Sequence, residues 1–153
     1  MDSLFYIKEA YKEAKKAYKK GEVPVGCVIV YDGEIIARAH NLRETKKNVL
    51  CHAEVIAINK ACKKLGTKFL DGCILYVTLE PCIMCLGASI QARIKKIVYG
   101  AKEPKFGCLE SLGNVLNDYK FNHEIEVESG VYSEEISLLM KSFFKELREI
   151  KAN

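Results

Sequence analysis

Leu75-Tyr76-Val77-Thr78-Leu79-Glu80-Pro81-Cys82-Ile83-Met84-Cys85 is the stretch whose reading decides the fold. Its first half, entered from Cys73, is a short apolar run rich in β-branched and aromatic residues, the pattern of a buried strand. Pro81 then stands where a helix would begin, because its fixed φ suits a first helical turn and it has no N–H to lose there. The spacing predicts a helix to about Ala92, and Lys96 to Gly100 reads as the next strand. Strand, helix and strand in succession are the repeating unit of an α/β sheet.

Upstream, Val25 to Tyr31 is another strand, Asp32-Gly33 is a strong hairpin signal, and Glu34 to Ala39 continues as the antiparallel partner. Leu4, Ile7, Tyr11, Ala14 and Tyr18 recur at helical spacing, so a first amphipathic helix ends before Gly21. Its lysines read as a solvated face. Residues 41–51 read as a polar loop. A helix from about His52 to Leu65 follows, backed by Val55, Ile58, Cys62 and Leu65 and closed by Gly66. Downstream, a short helix is expected near Leu112 to Leu116 and a fifth strand over 125–128. A last helix is expected to open at Ser133, with a wide apolar face of Ile136, Leu139, Met140, Phe143, Phe144, Leu147 and Ile150. The expectation is a mixed five-stranded sheet with helices on both faces, strands four and five being parallel because a helix crosses between them.

At 153 residues the chain reads as one domain, 1–153, with enough apolar content (49%) for a core that needs no disulfides. The first five residues lack the pattern of a secretory signal, and no apolar run approaches a membrane span. Seven cysteines without framework spacing suit a reducing cytoplasm. Cys27, Cys51, Cys62, Cys73 and Cys108 read as small core hydrophobes, Cys51 standing out because it adjoins His52. A formal charge of +4 permits a nucleic-acid partner without requiring one.

Chemistry concentrates in two half-motifs, His52-Ala53-Glu54 and Pro81-Cys82-Ile83-Met84-Cys85. Cys82 and Cys85, three apart, share a face of one helical turn, and both fall where the helix dipole favours thiolate. With His52 they make three zinc ligands. Three protein ligands leave a coordination position for water, whereas structural zinc is closed by four. Residues two apart do not share a helix face, so His52 and Glu54 converge only if the metal lies over the end of their helix. Glu54, unneeded as a ligand, would then ferry protons between water, a ring nitrogen and departing ammonia. The pattern predicts hydrolytic replacement of an aromatic amino group by oxygen. Ile83 and Met84 read as core packing.

The chain resembles the bacterial tRNA-specific adenosine deaminase family, within the cytidine deaminase-like three-layer α/β/α fold. The resemblance is carried by Glu22-Val23-Pro24-Val25-Gly26, Asn41, His52-Ala53-Glu54, the Leu75–Cys85 stretch and Val98-Tyr99-Gly100-Ala101. Lys105, Gly107, Ser111, Asn122-His123 and Gly130 reinforce it downstream. The zinc half-motifs are common to many nucleobase deaminases, whereas the downstream pattern is narrower. The resemblance implies conversion of adenosine to inosine at the wobble position of a tRNA anticodon, with one zinc per subunit of a homodimer. It implies substrate contacts at Val25, Asn41, Ala53, Pro81, Glu103 and Lys105. Asn41 is also a turn residue after strand two on its own chemistry. Lys46, Lys47, Lys102, Lys105, Lys141, Lys145 and Arg148 are the cations expected to meet phosphate. The chain departs from the family at Asn48-Val49-Leu50-Cys51, Glu103 and Glu110. His40 reads as structural, and His123 as either a core histidine or a loop contact. The rival readings are a free-base or nucleotide deaminase of the same fold, acting on guanine or cytosine, and a non-catalytic zinc-stabilised partner of an active deaminase. Glu54 counts against the second, since a structural site has no use for it.

Overall fold

A computed structural model describes residues 2–152. Helix α1 (Ser3–Lys19) precedes the hairpin of β1 (Gly26–Tyr31) and β2 (Glu34–His40). A single turn, α2 (Arg43–Lys46), leads to α3 (Ala53–Leu65), β3 (Ile74–Leu79), α4 (Ile83–Gln91) and β4 (Lys96–Ala101). Short α5 (Val115–Asp118) and β5 (Glu126–Glu128) are followed by α6 (Ser133–Ala152). The five strands form one mixed sheet in the order β2-β1-β3-β4-β5. β1 is antiparallel to both neighbours, and β3, β4 and β5 run parallel, as the helical crossovers require.

Period-two alternation divides the sheet residues between two cores. Cys27, Ile29, Leu75, Val77, Ile97 and Tyr99 face one way, with Ala53, Ala57 and Ala61 of α3 and Leu86 of α4. Val28, Val30, Tyr76 and Val98 face the other, with Tyr6, Ile7 and Ala10 of α1 and Ile136 of α6. The result is the expected α/β/α layering. Asp32 and Gly33 both take positive φ (49° and 78°), the pair a tight primed turn demands. Gly66 closes α3 in the left-handed region at φ 68°.

Several helix details differ from the sequence reading. Residues 41–51 contain α2, and the next short helix begins at Val115 because the Asn114 side chain caps it, accepting from Asn117 N at 3.1 Å. The buried face of α1 is Tyr6, Ile7, Ala10, Ala14 and Ala17 together with Glu9 and Glu13, while Leu4 is exposed. Arg38 of β2 pairs with both glutamates, which is what lets them face inward. α3 rests on the sheet through alanines, leaving Ile58, Cys62 and Leu65 at the core's margin. α6 buries only Ile136 and Phe143, with Phe144 and Ile150 in solvent. Ile83, expected in the core, is exposed, and Cys51 and Cys62 are only half-buried.

Candidate active site at the carboxyl edge of the sheet

β3 ends at Leu79, and Glu80-Pro81 carries the chain to α4, for which Cys82 is the N-cap residue and Cys85 the third helical residue. Across from it, His52 is the N-cap residue of α3 and Glu54 its second residue. Cys82 is thus one step outside the first turn predicted for it. Both N-cap residues have extended backbones, with φ, ψ of −73°, 150° and −79°, 174°, which turn their side chains over the helix ends. This resolves the two-residue spacing of His52 and Glu54.

His52 Nδ1 lies 3.7 Å from Cys82 Sγ and 3.4 Å from Cys85 Sγ. With zinc–nitrogen and zinc–sulfur bonds of usual length, tetrahedral geometry calls for nitrogen–sulfur edges of about 3.6 Å. The three ligand atoms lie within 4.8 Å of one another and could hold a metal ion. One imidazole and two sulfurs form a donor set that suits zinc. Among the described residues no other His, Cys, Asp or Glu joins the group, Cys51 included. A hydrogen bond from Cys85 is the main force drawing the Cys82 thiol down, to about 4. That bond and burial hold the Cys85 thiol up, so the pair favours one thiolate beside one thiol, and a dication would have to displace the second proton. The hydrogen bond to Cys82 raises His52.

Glu54 is buried at 4% exposure, within hydrogen-bonding reach of Cys85. Burial pushes its carboxyl above the usual range, so the protonated form is favoured more than it would be in water.

Two of the other expected site residues adjoin the cluster in the chain, Ala53 after His52 and Pro81 before Cys82. Ala53 is fully buried at the start of α3. Pro81 is buried, and its carbonyl accepts from Cys108 N at 3.0 Å. Half-buried Val25 accepts from Asn41 N at 3.0 Å. Asn41, 6% exposed, uses its side chain to hold the loop: Oδ1 accepts from Arg43 N at 3.1 Å and Nδ2 donates to Val23 O at 3.2 Å. The turn role is therefore realised, and each amide atom keeps one hydrogen-bonding position besides. Glu103 is half-buried and accepts from Lys105 N at 3.0 Å, and the Lys105 side chain is exposed. His40 sits between Glu13 (3.1 Å) and Lys20 (2.9 Å), a structural position. His123 Nε2 is 2.7 Å from Ile94 O, which ties it to the start of β4.

Two buried glutamates, Glu22 and Glu80, enter the sequence reading only as members of family motifs, without a role of their own. Glu22, 0% exposed, accepts from Glu44 N at 3.0 Å and from both Thr45 N and Thr45 Oγ1 at 2.6 Å, fixing α2 beside Asn41. Glu80, 2% exposed, gathers the segment after β4. The available signal was a charge beside an apolar strand, since fully buried carboxylates are rare unless well paired.

A family model described as MafB19-like deaminase matches residues 1–148. The tRNA-specific adenosine deaminase of Bacillus subtilis (strain 168) is 57% identical over 146 residues, covering 95% of this chain and 91% of the relative. The chain belongs to the tRNA-specific adenosine deaminase family. A solved structure from work on A-to-I editing by tRNA:A34 deaminases at the wobble position of transfer RNA is 40% identical, with a TM-score of 0.84 over 88% of this chain and 98% of that one. A guanine deaminase from Bacillus subtilis is 46% identical, with a TM-score of 0.64 over 67% of this chain and 66% of its own. Among the described residues none of the departures from the family pattern joins the metal cluster, although Cys51 adjoins His52 in the chain. Val49 and Leu50 are exposed, and Glu110 bonds the Tyr99 hydroxyl and approaches Lys102 at 3.6 Å.

Proposed function

We propose that this chain is a zinc-dependent hydrolase that converts adenosine to inosine at the wobble position of a tRNA anticodon. The observation that carries the proposal is the juxtaposition of a three-member His/Cys/Cys cluster with a buried carboxyl that is not one of its members. Similarity to tRNA-specific adenosine deaminases over nearly the whole chain gives the substrate. The whole sequence, 1–153, acts as one domain in this reading.

His52, Cys82 and Cys85 would hold the ion. When bound, zinc supplies a Lewis acid that lets water ionise near neutral pH. Glu54 would take one proton of the attacking water and place it on the ring nitrogen of adenine, then carry the second, from the new C6 hydroxyl, to the amino group, so that the C6–N bond breaks, ammonia leaves and the C6 carbonyl forms. Its burial supports this role, because a carboxyl whose protonated form is favoured can hold a proton it has taken until it is passed on. Asn41 offers its remaining amide positions to the base, a pairing that suits adenine-like edges. Ala53, Val25 and Pro81 wall the pocket, and Glu103 and Lys105 meet the strand beside it. An anticodon loop presents bases already splayed from their neighbours, so little unstacking is required.

A homodimer fits other large hydrophobics left in solvent, among them Ile83, Leu112 and Leu138. Seven free cysteines fit a reducing cytoplasm. The guanine deaminase likeness motivates a rival reading as a small-molecule enzyme, with lower structural similarity over a smaller share of the chain.

The experiment is deamination of an anticodon stem-loop compared with free adenosine, guanine and cytosine, for the native chain and Glu54→Ala. Inosine in the RNA alone, abolished in a variant that retains zinc, is the expected result. Activity confined to free bases would replace tRNA with a small substrate. Loss of zinc and activity together in Glu54→Ala would remove the proton-transfer role.

A further inference from the structure

Glu80 stands next to Pro81-Cys82, yet it is not part of the metal cluster. Its carboxylate binds the segment after β4 instead. Oε1 accepts from Glu103 N at 3.1 Å and from the Ser111 hydroxyl; Oε2 accepts from Leu109 N at 3.0 Å, Glu110 N at 2.8 Å and Ser111 N at 2.9 Å. Both ends of the segment therefore converge on one side chain. Gly107, between them, leaves the space the carboxylate fills: a Cβ there would lie 2.3 Å from Glu80 Cδ and 2.4 and 2.5 Å from its oxygens. Two backbone bonds tighten the junction, Glu80 N to Ala101 O at 2.9 Å and Cys108 N to Pro81 O at 3.0 Å.

The segment so held presents Lys105 and Phe106 to solvent, the latter 65% exposed. Phe106 is two residues from Cys108, so its backbone is within about 7 Å of the residue bonded to Pro81. A cation and an exposed ring beside a nucleobase site are the groups that engage a single strand, one through phosphate and the other by stacking. A strand binds more tightly to groups already fixed in place than to groups it must order on arrival.

We propose that Glu80 is a positioning residue for RNA binding: its carboxylate locks the 103–111 segment against the metal-ligand turn, so that Lys105 and Phe106 are held where the nucleotides flanking the reacting base must pass. This rests on the tRNA deaminase reading above. Glu80 itself touches neither metal nor base. Its loss should weaken substrate binding and leave the chemistry in place.

The test uses the full-length, zinc-loaded protein and an anticodon stem-loop. Glu80→Gln replaces one acceptor oxygen with an NH2 that faces N–H donors. It is expected to keep its zinc, keep kcat within about twofold and raise KM roughly tenfold, equivalent to about 1.4 kcal/mol. Ser111→Ala, which deletes one donor, shifts KM the same way by less. Amide exchange at Glu110 and Ser111 should accelerate in both variants. An unchanged KM, or a fall of kcat and zinc content together, overturns the proposal. Should Glu80→Gln fail to fold, the KM and amide exchange of Ser111→Ala decide by the same criteria. A native protein inactive on the stem-loop would sink the functional reading itself, a result distinct from native activity with an unaffected variant.

Discussion

His52 Nδ1 lies 3.4 Å from Cys85 Sγ, although 33 residues separate them and they belong to different helices. α3 and α4 both start at this point, so two sets of unsatisfied N–H groups face one small volume. That shared field adds to the Cys85 hydrogen bond in favouring thiolate at Cys82. Cys85→Ala should reduce zinc from one per chain to a small fraction, measured by atomic absorption, with deamination at background. Full zinc content in this variant would show that Cys85 is not a ligand.

Gly26 opens β1 directly against α1, where a Cβ would come 1.9 Å from Ala10 O and 2.4 Å from Ala14 N. Both contacts are backbone, and backbone moves only with the whole helix. Gly26→Ala should destabilise the fold by at least about 1–3 kcal/mol, read as a lower Tm and urea midpoint. A Tm within a degree or two of the native chain would mean that α1 shifts freely over the sheet.

Glu22 and Glu80 dictate an acid limit. Burial alone would raise both carboxyls, but the N–H and O–H donors around each outweigh it and hold both below the usual carboxylate range. A folded-state pKa below the unfolded one stabilises the fold above the unfolded value, near pH 4.3 for Glu, and the gain is lost as pH falls through the folded value. Through these two carboxyls urea midpoints should fall steeply below about pH 4.5. Glu22→Gln should flatten part of that fall. An unchanged profile would mean that other carboxylates carry it.

Lys46, Lys47, Lys105, Lys141, Lys145 and Arg148 are exposed cations of the kind a phosphate footprint would use, while Lys102 lies 3.6 Å from Glu110. Stem-loop affinity should fall steeply with added salt, and Lys105→Ala should lower the log–log slope by about 0.7–0.9, the contribution of one phosphate contact. A slope identical to that of the native chain would remove Lys105 from the footprint.

Much of this architecture was legible because each signal was local. Asp32-Gly33 needs positive φ at both positions, and the apolar runs of β1, β3 and β4 are readable from residue type alone. The residues of the His/Cys/Cys cluster, which could hold a metal, were legible for the same reason, since ligand chemistry restricts residue type and the helix period restricts spacing. The helix faces were read less well. Periodicity marks an apolar stripe, yet α1 turns Glu9 and Glu13 inward because Arg38 waits on β2, and α6 shows an apolar face wider than the sheet covers.

The order of residues by itself determined which strands and long helices form and which side chains could hold a metal, because those outcomes depend on neighbours a few positions apart. Only the tertiary structure decided that His52 meets Cys82 and Cys85, that Asn41 spends half its amide on its own loop, and that Glu80 binds residues 23 to 31 positions away. Such contacts join segments brought together by sheet order, and whether a charge can be buried depends on donors arriving from another part of the chain.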